Sequence, residues 1–470
     1  MVRYLRIPAI LLLAGVPALL GACRSSFDVH RDNLRRLVGE GRWEEAAQSL
    51  DRADTKGLYG ERNELLWLFD RGSVAQAMGD HPTAIDTLNR AEDIMDRKRG
   101  ENIGDVLGAL LINDTLRRYT GEPYEDIYVN VLKMLAHLEA GVIEGGATVE
   151  ARRIASKANM LRDRYLEVYP AARRKAIGEI GDAQRGESTS TSEGFVPSWV
   201  TDMPASVAGT VATNDAGEFI ESTLGLYLTA AVWMHAGEPG NQRVAAERLA
   251  QTIELHRDLI RGVDPDDFAD LATRAPGESN LLIVALSGLG PRKGAFRFPP
   301  IIIDGAPIYF ELPVVRQGPG AASGARVILG RDDASALALV EDFGQVAAEN
   351  HRRQLPLTYV RTLARAAVKA LATREAVKAI EDKNDDDLVR FGVNLAGLLV
   401  PVLTERADLR AWETLPGKAH VGMMALPPGE HRVRVEWLSQ GGWVVDESGV
   451  FDVVIEAPGE FRAIVVRSAR

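Results

Sequence analysis

Apolar residues recur at every third and fourth position through residues 31–180, and strict alternation is scarce there. That period puts one face of each helix against a core, so the spacing predicts helix through this stretch. Glycines fall where such helices would end. Near residue 278 the pattern changes. SNLLIVALSGLG (279–290) is an unbroken apolar run closed by glycines, which predicts a buried strand. Strands are also predicted at 295–303, 307–315 and 326–330, with Pro299, Pro300, Pro307 and Pro313 confining the first two to edges or strand ends. Residues 334–351 and 356–381 are Ala-rich and amphipathic and predict helices. FGVNLAGLLVPVL (391–403) predicts a core helix, because thirteen residues are too few to span a bilayer. KAHVGMMAL (418–426), HRVRVEWLS (431–439), VFDVVIEA (450–457) and FRAIVVRS (461–468) predict an antiparallel set with a turn at 427–431. Val433, Val435 and Trp437 share one face of their strand, and Arg432, Arg434 and Glu436 the other. The 279–330 strands are expected to join this sheet, with the intervening helices on one face.

Two helical segments align without gaps at an offset of 38, LVGEGRWEEAAQSLDRA (37–53) and AQAMGDHPTAIDTLNRA (75–91). Gly41 matches Gly79, Ala46 matches Ala84, Leu50 matches Leu88, and Arg52-Ala53 matches Arg90-Ala91. Glycine suits the turn between antiparallel helices, where a positive φ is cheap. The small alanines let the helices approach, and Gly72 takes a small position on the earlier helix of the second unit. Segments 131–158 and 226–255 fit the same plan more loosely. The pattern resembles the tetratricopeptide repeat, although the spacing of 38 exceeds the usual one of about 34. Between the later units, GDAQRGESTSTSEGFVPS (181–198) is too polar to order itself and is expected to be a flexible loop.

The N-terminal residues carry a separate signal. Arg3 and Arg6 precede a fourteen-residue apolar run, Ile7 to Leu20, the layout of an export signal. Leu20-Gly21-Ala22-Cys23 then resembles the bacterial lipobox, which implies cleavage before Cys23 and diacylation of its thiol. Several acyl chains anchor stably where one would not. Arg24, in place of an acidic residue, implies by analogy an outer-membrane destination facing the periplasm.

Composition narrows the classes. Hydrophobic residues are 46% and charged residues 26% of 470, which excludes a wholly disordered chain. The net charge of −11 argues against a nucleic-acid partner. Loss of residues 1–22 removes Arg3 and Arg6 and leaves −13, so the acyl chains and not surface charge would hold the protein at a membrane. The single cysteine excludes an internal disulfide. None of the eight histidines forms H-E-x-x-H or H-x-x-x-H, and EDKNDDD (381–387) lacks the glycine and distal Glu of a calcium loop. G-x-S-x-G is absent. GPGAASG (318–324) mimics a phosphate loop but precedes a strand, so a flexible hairpin loop is expected. No catalytic residue, metal or cofactor is expected.

GEPYE (121–125) is the most peculiar local run. Gly121 can end one helix, Pro123 suits the first position of the next, and Glu125 and Asp126 favour its first turn. The flanking tyrosines either pack an inter-helix connection or, with Glu122, line a groove. In the second case Tyr119, Glu122 and Tyr124 would touch a partner.

Residues 111–141, VEARR (149–153) and ADLRAWETLPGKAHVGMMALPPGEHRV (407–433) together resemble a family of poorly characterised bacterial tetratricopeptide lipoproteins. GEPYE and the R-x-W-x-x-L-P run (410–416) carry most of that resemblance, while Gly145-Gly146 departs from a regular repeat turn. The expected architecture is mainly α and multidomain. A signal peptide (1–22) precedes a tetratricopeptide-like helical repeat array (23–277) and an α+β domain with a mostly antiparallel sheet (278–470). The expected function is a non-enzymatic scaffold in envelope assembly or maintenance, anchored in the membrane through Cys23 and bound to an envelope protein. The alternatives are an enzyme acting on an envelope polymer through carboxylates in an interdomain cleft, or a structural subunit of a secretion or surface complex.

Overall fold

A computed structural model describes residues 25–99, 117–163, 222–255, 280–352 and 404–469, with short gaps inside the last three ranges, and a few isolated positions. The expected signal peptide, Cys23, the 181–198 loop, the acidic 381–387 run and the expected helices at 356–381 and 391–403 lie outside the described residues. The described chain is helical first and mostly β afterwards, an α+β arrangement.

The helical part contains α1 (Ser26–Gly39), α2 (Trp43–Asp51), α3 (Ala53–Tyr59), α4 (Glu64–Ala77) and α5 (His81–Arg99). It continues with α6 (Pro123–Glu139), α7 (Thr148–Asp163), α8 (Thr223–His235) and α9 (Pro239–Leu255). The turn chemistry read at the offset of 38 is present. Gly41 and Gly79 sit at φ 71° and 74°. After α1, the Gly41 amide donates to the Val38 carbonyl and the Arg42 amide to Leu37. After α4, Gly79 donates to Gln76 and Asp80 to Ala75, the same pair of bonds. The end of α6 repeats them, from Gly141 to Leu138 and from Val142 to His137. Such bonds satisfy carbonyls that a helix end would otherwise orphan. The irregularity at Gly145-Gly146 is a single wide turn over Ile143–Ala147 that leads into α7. Gly72 explains the close packing of α4 on α5, since a Cβ there would lie 2.6 Å from Leu88 Cγ.

The first sheet has eight strands, β1 (Leu281–Ser287), β5 (Gly324–Leu329), β6 (Asp333–Asp342), β8 (Lys418–Met424), β9 (Gly429–Leu438), β10 (Val444–Glu447), β11 (Phe451–Ile455) and β12 (Arg462–Ser468). Its order is β10-β9-β5-β6-β8-β1-β12, with β11 also on β9. Every pair is antiparallel except β1 with β12, which is parallel. The Ser468 hydroxyl of β12 bonds Asp446 of β10, so the two ends of the strand order meet and the sheet curls. A second sheet holds β2 (Arg292–Arg297), β3 (Ile301–Ile303), β4 (Ala306–Arg316) and β7 (Thr404–Glu405).

Three expectations change. Only β1 and β5 of the 279–330 strands join the C-terminal sheet; β2 to β4 build the second one. Residues 333–342 are strand β6, with helix only from 343 to 352. DASALALVED fits either period, and its place between β5 and β8 decides for strand. The glycine-rich 318–324 segment crosses between the sheets as a packed loop. A Cβ on Gly318 would overlap the Leu289 and Gly290 carbonyls, so glycine serves close backbone approach there.

β1 explains its unbroken apolar run. Leu282, Val284 and Leu286 join the helices in one buried cluster, with Val340 and Val421 from the neighbouring strands. Leu281, Ile283 and Ala285 point into a second cluster inside the curl, with Val327, Val433, Val435 and Trp437.

Gly72→Ala should destabilise the protein by about 1–3 kcal/mol through overpacking against Leu88. Gly57→Ala, in α3 with nothing within 4 Å, should stabilise it by about 0.5–1 kcal/mol. Urea titration of both variants distinguishes the two signs.

Candidate functional site

The two most unusual runs of the sequence meet in space. Residues 407–417 form a strap without regular secondary structure that enters β8. Its side chains and main chain are held by α1, α4 and α6.

Trp412 lies flat on Phe69 of α4, with ring centroids 4.3 Å apart and planes at 12°. Its indole N–H donates to Ser73 Oγ at 3.1 Å. Glu413, 1% exposed, is compensated by two arginines of α1. Arg31 Nε donates to its Oε1 at 2.6 Å, and Arg35 Nη1 to its Oε2 at 3.2 Å. The same guanidinium groups reach the strap's carbonyls, Arg31 to Leu409 at 2.9 Å and Arg35 to Glu413 at 3.1 Å. Arg410 forks onto Asp408, donates to Asn63 and the Arg117 carbonyl, and lies 5.3 Å over the Tyr119 ring.

Two buried carboxylates divide their oxygens between helix layer and strap. Asp70 Oδ2 accepts from the Tyr59 hydroxyl at 3.0 Å. Its Oδ1 accepts from the Glu413 amide at 3.1 Å and the Thr414 hydroxyl at 3.0 Å. Glu125 Oε2 accepts from the Tyr119 hydroxyl and the Glu122 amide, both at 2.7 Å. Its Oε1 accepts from the Trp412 amide at 3.0 Å. The Glu122 bond is half of a capping box that starts α6, with Pro123 following in its expected place. Burial, and then the charge of Glu413, raise Asp70 to about 7. Burial, and then Glu122, raise Glu125 to about 7.

The predicted partner-contacting residues have defined places. Tyr119 and Tyr124 are each 6% exposed. The Tyr119 hydroxyl is bonded to Glu125, and the Tyr124 ring meets Tyr128 edge-on. Glu122 is ion-paired to Lys293 of β2. All three contacts are internal: from the segment before α6 to α6, within α6, and to the second sheet. Sequence reading found the two runs but not Arg31, Arg35, Asp70 or Ser73. An arginine pair on one helix face was the only signal available for them.

Two other polar clusters are buried. Glu341, at the bulge of β6, accepts from Ser222 Oγ and the Leu224 amide at 2.8 Å each, and from the Tyr128 hydroxyl at 3.0 Å. It therefore fastens the start of α8 to the sheet, and burial raises it to about 7. Glu92 of α5 pairs with Lys133 at 2.7 Å and Lys157 at 2.8 Å. Burial would raise Glu92, but the two lysines hold it down to about 2. Among the described residues no group of three His, Cys, Asp or Glu could hold a metal ion.

No protein-family model, curated protein or solved structure matches the chain. Among the described residues the polar strap brings buried carboxylates, guanidinium groups and an aromatic seat together in one place. In it, carboxylates accept hydrogen bonds from main-chain amides, guanidinium groups donate to main-chain carbonyls, and one aromatic ring fills an apolar seat.

Glu413→Ala should cost about 3–5 kcal/mol, because it strands two buried guanidinium groups. Urea unfolding measures it. The pH response has a definite sign. Asp70, ordinarily at 3.8, and Glu125, ordinarily at 4.5, are both raised to about 7. Between about 4 and 7 the folded state therefore binds more protons than the unfolded chain, and stability falls as pH rises through that window. The melting temperature should be higher at pH 5.5 than at pH 8. Asp70→Asn should narrow that difference.

Proposed function

We propose that the protein is a lipid-anchored scaffold of the bacterial cell envelope that binds protein segments through its helical layer. The observation that carries this reading is the way α1, α4 and α6 hold a stretch without regular secondary structure by its main chain. That is how a protein-recognition surface works, and it asks for no bond-making chemistry.

The helical hairpins are read as tetratricopeptide-like repeats. The same pair of helix-end bonds after α1, α4 and α6 supports that reading, as does the shared Gly–Ala–Leu spacing at 41–50 and 79–88. The anchor is read from the leader. Arg3 and Arg6, the apolar run and Leu20-Gly21-Ala22-Cys23 follow one another in the order a lipobox requires. Cys23 then carries the lipid, and Arg24 supports delivery to the outer membrane with the body facing the periplasm. Among the described residues no helix is long and apolar enough to cross a membrane. The partner is an envelope protein.

Radiolabelled palmitate should enter the wild-type chain in bacterial cells and should not enter Cys23→Ala. Equal labelling of the two would remove the anchor from this reading. Crosslinking of the native protein in cells should recover a protein partner, and recovery of none would remove the scaffold role.

A further inference from the structure

The strap is unlike ordinary core. Among the described residues no backbone–backbone hydrogen bond joins positions 407–414 to another segment; Glu413 and Thr414 form a turn, and the first main-chain bond outward is from the Gly290 amide to the Leu415 carbonyl. Six of the strap's polar main-chain atoms are met by side chains: the Arg410 amide by Asp408 of the strap itself, the Thr414 carbonyl by Arg467 of β12, and four by side chains of the helices. Trp412 N–H goes to Glu125, Glu413 N–H to Asp70, Leu409 C=O to Arg31 and Glu413 C=O to Arg35.

Each receiving carboxylate also has partners outside the strap. One oxygen of each carboxylate is bonded within the helical layer, Asp70 by Tyr59 and Glu125 by Tyr119 and the Glu122 amide. The other oxygen of each is turned to the strap. Acceptors fixed by such partners carry less of the ordering cost of binding. Phe69 supplies a flat apolar seat and Ser73 an acceptor for one indole, the layout of an aromatic anchor at a binding hot spot. Beside it, Arg31 and Arg35 demand one carboxylate at the next position.

We propose that the face of the helical layer formed by α1, α4 and α6 is a receptor for a peptide with a Trp–Glu–Thr core that turns at its last two residues, and that residues 409–415 are its built-in competitor. This deepens the scaffold reading, on which it rests for the existence of an outside segment. A partner presenting an aromatic residue followed by an acidic one would displace the strap and take its bonds. A tethered competitor acts at a high effective concentration, so the free peptide binds the intact chain weakly until the strap is loosened.

The probe is a fluorescein-labelled peptide of residues 407–417, followed by anisotropy on the full chain. It should bind Trp412→Ala at least tenfold more tightly than wild type. A peptide carrying the Trp412→Ala change should not compete. Equal affinity for both chains, or binding to neither, with the variant still folded by circular dichroism, overturns the proposal. If Trp412→Ala does not fold, hydrogen exchange on wild type decides. Local opening predicts that the Trp412 and Glu413 amides exchange at least tenfold faster than those of β1 and β8. Exchange at the same rate as those strands overturns it. Neither readout involves Cys23 or a cellular partner, so loss of the anchor or of the scaffold role would be seen separately.

Discussion

The fold depends on keeping one carboxylate compensated inside the protein. Glu413 is removed from water, and an unpaired charge there would not be tolerated. Arg31 and Arg35 answer it, one turn apart on α1, and both also hold main-chain carbonyls. Arg35 reaches further, to the Gly290 carbonyl just beyond β1. A single helix face thereby positions the strap against the sheet. The packing of Trp412 on Phe69 and its bond to Ser73 fix the same register. The charged bonds are directional and select it too.

The other buried charges follow the same logic with different partners. Among the described residues Glu341 makes no ion pair; burial raises it to about 7, against the opposing effect of its neutral donors, a helix N-terminal amide among them. Glu92 finds two lysines and stays ionised far into acid. Opposite shifts of equally buried carboxylates therefore report whether a cation or a set of neutral dipoles does the compensating. Where dipoles do it, proton uptake remains available to the folded state. The ties from Asp70 and Glu125 to the strap and from Glu341 to α8 fall in that class; the ties of Glu413 to α1, of Glu122 to β2, and among α5, α6 and α7 do not.

How much of this was legible varies with the distance between partners. β1 could be read because burial on both faces writes an unbroken apolar run. The turns at Gly41 and Gly79 could be read because a positive φ and a small following alanine are local demands. The capping role of Pro123 and Glu125 was also local. β6 was misread because alternating Ala and Leu satisfies a helix as well as a strand, and its decisive neighbour, β8, comes about eighty residues later. The site was half legible. GEPYE and R-x-W-x-x-L-P stood out as unusual, but the bond between Glu125 and Trp412 spans 287 positions, and that between Arg31 and Glu413 spans 382. Spacing within a chain says nothing about such pairs.

That same separation explains why the site has the character of an interface. The strap and its receptor come from opposite ends of the described chain and meet as two surfaces would. The receptor's acceptors are held within the helical layer, and the strap contributes one aromatic, one carboxylate and a run of peptide groups. Nothing in these bonds requires the two sides to be covalently joined. The tie through β8 raises the local concentration of the strap without adding to its recognition. An outside segment with the same groups would meet the same donors and acceptors, and would have to overcome only the advantage of the tether. The arrangement therefore stores recognition and its suppression in one chain, and the balance between them rests on the seat for Trp412.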